Sequence, residues 1–175
     1  MAIVTQDHLI QSIADAFQYI SCYHPPDFIQ AMSRAYEKEE SGPARNAIAQ
    51  ILINSRMAAE GRRPVCQDTG IAVVFVKMGM SVKLESTLSL QEMVDEGVRR
   101  AYTDPSNPLR ASVVSPSIGE RRNTGDNTPA VVHVEMVPGT HIDVIVAAKG
   151  GGSENKARFA NLKPSDDLVE WVSET

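Results

Sequence analysis

The chain has 175 residues, 42% hydrophobic and 22% charged, the composition of an ordinary globular protein. A formal net charge of −5 with no basic block argues against nucleic acid or an anionic membrane as its partner. No apolar run approaches the roughly 20 residues of a membrane helix, no basic leader followed by an apolar stretch is visible, and two cysteines make no disulfide framework. These readings predict a soluble protein of a reducing, cytoplasmic compartment.

The first sixty residues predict three helices before any strand. Leu9, Ile10, Ile13, Ala14, Phe17 and Ile20 recur at helical spacing and would line one face. Pro25-Pro26-Asp27 restarts the chain, since proline suits a first helical turn whose N–H lacks a partner anyway. Phe28, Ile29, Met32, Ala35 and Tyr36 make a second stripe. After Ser41-Gly42-Pro43, a third helix would turn Ala44, Ala47, Ile48, Ile51, Leu52 and Ser55 inward and end near Gly61 in a left-handed cap.

Beyond Arg63-Pro64 the texture changes. Ile71-Ala72-Val73-Val74-Phe75-Val76 is a continuous run rich in β-branched residues that suits a strand buried on both faces. Gly79 allows a turn, and Val82-Lys83-Leu84 continues as a short strand. Leu90, Met93, Val94, Gly97, Val98 and Ala101 return to helical spacing, with Ser89 and Glu92 placed for a capping box. Residues 103–128 are rich in Pro, Asn, Gly and Asp, and so long a loop in a compact domain is usually functional or disordered. Two strands, at 131–137 and 141–148, follow with Pro138-Gly139-Thr140 as a hairpin turn between them. Ser165-Asp166-Asp167 starts a last helix that stops at Thr175 after two turns, which reads as truncation. The expected fold class is mixed α/β. A helical N-terminal layer (1–61) would pack on a small mixed sheet in 62–175, the whole forming one incomplete domain.

Three stretches could carry chemistry. Cys66-Gln67-Asp68-Thr69-Gly70 sets a thiol, an amide and a carboxylate at the mouth of a strand. A small buried cysteine is the bland reading. A nucleophile would need a partner histidine, and His8, His24, His133 and His141 have no telling spacing. A metal ligand fits better, although one cysteine cannot hold a metal alone. Asn107-Pro108-Leu109-Arg110 offers a guanidinium that is either solvated or a bidentate grip on a carboxylate. Gly150-Gly151-Gly152 carries a large entropic cost, which points to close backbone approach or an anion-binding nest of N–H groups, a wide bulge being the alternative. It lacks the Gly-Lys-Ser/Thr of a P-loop. The combined inventory suits a small carboxylic acid beside a metal centre.

Pro64-Val65-Cys66-Gln67-Asp68-Thr69-Gly70, Asn107-Pro108-Leu109-Arg110, Asn123-Thr124-Gly125-Asp126-Asn127-Thr128-Pro129-Ala130 and the stretch 148–156 around the triple glycine resemble, in this order, the N-terminal catalytic region of class I fumarases. That family includes the α-subunits of two-chain fumarases and tartrate dehydratases. The resemblance implies a [4Fe–4S] cluster on three cysteines, with one open iron acting as a Lewis acid. It makes Cys66 the first ligand and puts Gln67 and Asp68 beside the substrate. Arg110 would hold a carboxylate, and Gly150, Gly151 and Gly152 would offer backbone N–H groups, Gly152 foremost. The implied reaction is reversible trans addition of water to fumarate, giving (S)-malate, a tricarboxylic acid cycle step run by a homodimer.

No further cysteine follows the triple glycine, so the other cluster ligands and the catalytic base would come from a missing C-terminal segment or subunit. The fragment is expected to be inactive alone, and no catalytic residue is assigned within it. Tartrate dehydration or another C4-dicarboxylate hydration is an alternative within the class. Outside it stand a non-catalytic carboxylate-binding scaffold and a thiol enzyme using Cys66.

Overall fold

A computed structural model of the chain describes residues 2–66, 68–116, 118–150 and 159–174. In chain order these form β1 (Ala2–Thr5), α1 (Gln6–Cys22), α2 (Pro26–Lys38), α3 (Gly42–Gly61), β2 (Ile71–Gly79), β3 (Val82–Glu85) and α4 (Leu90–Tyr102). The short pair β4 (Val114–Ser115) and β5 (Arg122–Asn123) follows, then β6 (Val131–Val137), β7 (Ile142–Lys149) and α5 (Leu168–Glu174). The fold class is the expected mixed α/β.

α1 and α4 make the layer that covers the sheet. α1 buries Leu9, Ile10, Ile13, Ala14 and Phe17, the stripe its spacing predicts. α4 meets it with Met93, Val94, Val98 and Ala101. Ala72, Val74 and Val76 of β2 complete the core from below, each at most 1% exposed. Each fully buried Ile, Phe or Val contributes about 1.5–3 kcal/mol relative to exposure, so this three-way contact supplies much of the driving force. The two helices cross closely at Gly97, where a Cβ would stand 2.7 Å from Ile13 Cγ2 and 2.9 Å from the Ile10 carbonyl oxygen. α4 opens with the predicted capping box: Ser89 Oγ accepts from the Glu92 N–H, and the Glu92 carboxylate accepts from the Ser89 N–H at 2.7 Å.

Several expectations are corrected. A strand precedes the helices, since β1 pairs in parallel with β3 as a separate two-stranded sheet. α2 buries no residue and α3 only Ser55 and Ala58, leaving Ala47 and Ile51 exposed. These two helices pack mainly on each other and so need only a narrow apolar seam. The left-handed residue after α3 is Arg62, at φ 48°, while Gly61 remains helical. β2 alternates instead of being buried on both faces: Phe75 is 44% exposed on the open side, stacked on His133 with ring centroids 4.9 Å apart.

The hairpin expected between β6 and β7 does not form as a neighbouring pair. β2 lies between them, parallel to β6 and antiparallel to β7. The 138–141 connection arches over the end of β2. The N–H groups of Gly79, Met80 and Ser81 donate to the carbonyls of His141, Val137 and Gly139. A Cβ on Gly79 would stand 2.6 Å from the His141 carbonyl oxygen, so only glycine passes beneath the arch. At its opposite end this three-stranded sheet receives the turn that carries Cys66.

Candidate active site

The turn before β2 is anchored from both sides. The Val65 N–H donates to the Ser21 carbonyl at the end of α1, at 2.8 Å, and Asn54 of α3 donates to the Val65 carbonyl at 2.9 Å. Cys66 is exposed, and the Asp68 N–H points at its sulfur at 3.4 Å. The Asp68 carboxylate accepts from the Gly70 N–H at 3.2 Å, an Asx-type turn that leads into β2.

Gly70 then passes the end of β7 at close quarters. Its φ is +74°, and a Cβ would lie 2.4 Å from the Lys149 carbonyl. A Cβ on Gly150 would in turn meet the Asp68 carboxylate at 3.2 Å. The Cys66–Gly70 turn and the entry to the triple glycine are therefore packed on each other.

A third segment arrives from the loop after α4. Asn107 fixes its start: the side chain donates to Gln18 Oε1 at 2.7 Å and reaches the Cys22 sulfur at 3.5 Å, while Gln18 donates back to the Asn107 carbonyl. Leu109 is buried as an anchor, and Arg110 stands exposed beside it. The Thr69 hydroxyl donates to the Arg110 carbonyl, and the Thr69 carbonyl accepts from the Tyr102 hydroxyl at 2.8 Å. Burial pushes the Tyr102 phenol up to about 12, against the hydrogen bonding around it, so it remains a donor at neutral pH.

The fourth segment carries Asn127, which is 0% exposed at φ 64°. Its amide donates to the Gly70 carbonyl at 2.8 Å, and its oxygen accepts from the N–H groups of Ser112 and Val113 at 3.0 and 3.2 Å. Asp126 next to it is paired with Arg99 at 2.9 Å. Burial raises the Asp126 pKa, but bonds from Thr128 and Arg99 outweigh it and hold the carboxyl below its ordinary range. The same pairing, with Glu96 foremost, raises the Arg99 guanidinium.

Three of the four histidines have partners elsewhere: His24 bonds Ser55 and lies tilted against Phe28, His133 stacks on Phe75, and His141 lies 3.4 Å from Asp143. Cys22 is 3% exposed within α1. Among the described residues no group of three or more His, Cys, Asp or Glu side chains could hold a metal ion. No described helix is long and apolar enough to cross a membrane.

Comparison with known proteins gives this arrangement a family. The model of the fumarate hydratase (fumerase) family matches residues 10–175. The chain belongs to that family. It is 34% identical over 159 residues to a Methanocaldococcus jannaschii protein named "Putative L(+)-tartrate dehydratase subunit alpha", covering 89% of this chain and 55% of that one. It is 28% identical to the L(+)-tartrate dehydratase subunit alpha of Escherichia coli, over 95% of this chain and 55% of the relative. It is 32% identical to the anaerobic class I fumarate hydratase of Escherichia coli, over 73% of this chain and 23% of the relative. The chain thus spans about half of the α-subunits and about a quarter of the fumarase.

Of the residues the sequence suggested for a fumarase-type site, Cys66, Asp68 and Gly150 are adjacent, and the Arg110 backbone is tied to them through Thr69. Gln67, Gly151 and Gly152 lie outside the described residues. Thr69, Tyr102 and Asn127 were not singled out. Thr69 and Asn127 lie inside recognised motifs, where their buried polar role is hidden by the general polarity of those loops.

Proposed function

We propose that the chain provides one wall of a hydro-lyase site that adds water reversibly to fumarate, giving (S)-malate. The observation that carries this reading is the packing of the Arg110 loop and the end of β7 on the Cys66–Gly70 turn within a fumarate hydratase family member. In this reading Cys66 is one thiolate ligand of a [4Fe–4S] cluster. Its exposure and the Asp68 N–H aimed at its sulfur fit that role, because N–H groups directed at cluster sulfurs tune such centres. Cys22, buried and engaged by Asn107, does not fit. The chain's two cysteines therefore offer a single ligand, and the remaining thiolates come from another segment or subunit.

When bound, the cluster supplies Lewis acidity at an open iron. The chain's own residues bind and orient the dicarboxylate. The exposed Arg110 guanidinium grips one carboxylate in a planar, bidentate way. Asp68 and the backbone of Gly150 border the same turn, and Gln67, Gly151 and Gly152, which lie outside the described residues, are proposed as further contacts, their N–H donors meeting charge as it develops. The catalytic base is supplied from outside this chain, which by itself holds a cluster poorly and is inactive. We place the complete enzyme as a homodimer in the reducing cytoplasm.

A second reading, dehydration of tartrate, is favoured by one observation: the matches to tartrate dehydratase α-subunits cover more of both partners than the match to the fumarase does. The test is to co-express the chain with the segment or subunit that completes it, reconstitute iron and sulfide anaerobically, and assay fumarate and tartrate side by side with a Cys66→Ser control. Hydration of fumarate that is lost in the control supports the first reading, and activity on tartrate alone supports the second. A completed protein that takes up no iron returns the chain to a carboxylate-binding scaffold.

A further inference from the structure

We infer that Asn127, backed by Tyr102 and Thr69, is a positioning hub that holds the Cys66–Gly70 turn and the Arg110 loop in one relative placement. Its catalytic consequence rests on the function proposed above; its structural content does not. Two ties join the same two loops, and a third fastens one of them to α4. Asn127 donates to the Gly70 carbonyl and accepts from Ser112 and Val113, two and three residues past Arg110. The Thr69 hydroxyl donates to the Arg110 carbonyl. The Tyr102 hydroxyl holds the Thr69 carbonyl at 2.8 Å, fastening that turn to α4.

Each tie ends on backbone. The hub therefore fixes where the loops run and leaves the Cys66 and Arg110 side chains, both exposed, available for a ligand. A buried side chain of this kind is costly to lose, because all three backbone groups it satisfies would be left without partners. Asparagine is also one of the few residues that tolerates the left-handed conformation found here, at φ 64°.

An ordinary core residue would stabilise both loops together, whereas a hub has two separable sides. Asn127→Asp keeps an oxygen for Ser112 and Val113 and replaces the donor facing Gly70 with an acceptor. Amide hydrogen exchange in the full 175-residue chain reads the two sides independently. The expected result is exchange roughly tenfold faster at Asp68 and Gly70, with protection at Ser112 and Val113 retained. Tyr102→Phe, which preserves the packing, should shift the same turn in the same direction if the aspartate variant fails to fold. In the completed enzyme both variants should raise KM for the dicarboxylate and release iron faster than wild type.

Equal loss of protection on both sides, or no change, overturns the inference. So does the expected exchange pattern with KM and iron retention unaltered in an active enzyme. If the wild-type completed enzyme hydrates no dicarboxylate, the proposed function fails, and the exchange pattern alone still decides the hub.

Discussion

Gly70 lies so close to Lys149 that a Cβ on it would stand 2.4 Å from the Lys149 carbonyl, while its own carbonyl takes the amide of Asn127 at 2.8 Å. The last residue of the Cys66–Gly70 turn is thus clamped between the end of β7 and the polar loop. We predict that Gly70→Ala destabilises the chain by about 3 kcal/mol, combining the left-handed penalty with a backbone clash. Urea unfolding measures it, and a loss below about 1 kcal/mol would mean that the two strands separate freely at this end.

Tyr102 gives a pH dependence with a definite sign. Its folded pKa, about 12, lies above the ordinary 10, so its contribution is fully present below pH 10 and is lost as pH rises through 12. We predict that wild type is more stable than Tyr102→Phe at neutral pH. The gap should narrow by about 1.4 kcal/mol per pH unit between the two values. Stability curves for both proteins across that window, compared pairwise so that other titrations cancel, test it; parallel curves would exclude a neutral buried phenol.

The α1–α4 crossing should be intolerant of even one methyl group. Gly97→Ala is predicted to cost about 1–3 kcal/mol despite alanine's better helix propensity, because Ile13 Cγ2 and the Ile10 carbonyl both lie within 3.0 Å of the new carbon. A thermal melt gives the answer, and a raised Tm would show that the helices can part without penalty.

The two cysteines should behave oppositely. In the native chain, alkylation with iodoacetamide is expected to modify Cys66 and spare Cys22, which is 3% exposed. Peptide mapping before and after denaturation reads this directly. In the completed enzyme Cys66→Ser should abolish stable iron binding, whereas Cys22→Ser should leave the iron content intact.

Much of the scaffold was legible because it obeys local rules. The 3.6-residue stripe of α1, the Ser89–Glu92 box of α4 and the turn before α5, where Asp167 accepts from the N–H groups of Val169 and Glu170, are each set by a few neighbouring residues. β1 escaped notice because four residues of alternating burial, found only by pairing with distant β3, carry little periodic signal. The β6–β7 arch was misread as a hairpin for a similar reason. Pro138-Gly139-Thr140 encodes a reversal but says nothing of the strand inserted beneath it. At the site, Cys66, Asp68 and Arg110 stood out by residue type. Asn127 did not, since an asparagine among Gly, Asp and Thr looks like any loop residue until its burial is known.

The insertion of β2 between β6 and β7 bears on the order in which the chain can be completed during synthesis. The central strand of the sheet leaves the ribosome first, and both its neighbours come from the far side of the polar loop. Until residue 149 has emerged, β2 lacks its full set of hydrogen-bonding partners and Gly70 lacks the surface it packs on. Pairings of such long sequence separation close slowly and leave strand edges open to other chains meanwhile. The Cys66 turn therefore takes its final shape among the last parts of this region. A nascent chain cannot offer that thiol in its native setting until the second half of the sheet has closed around it.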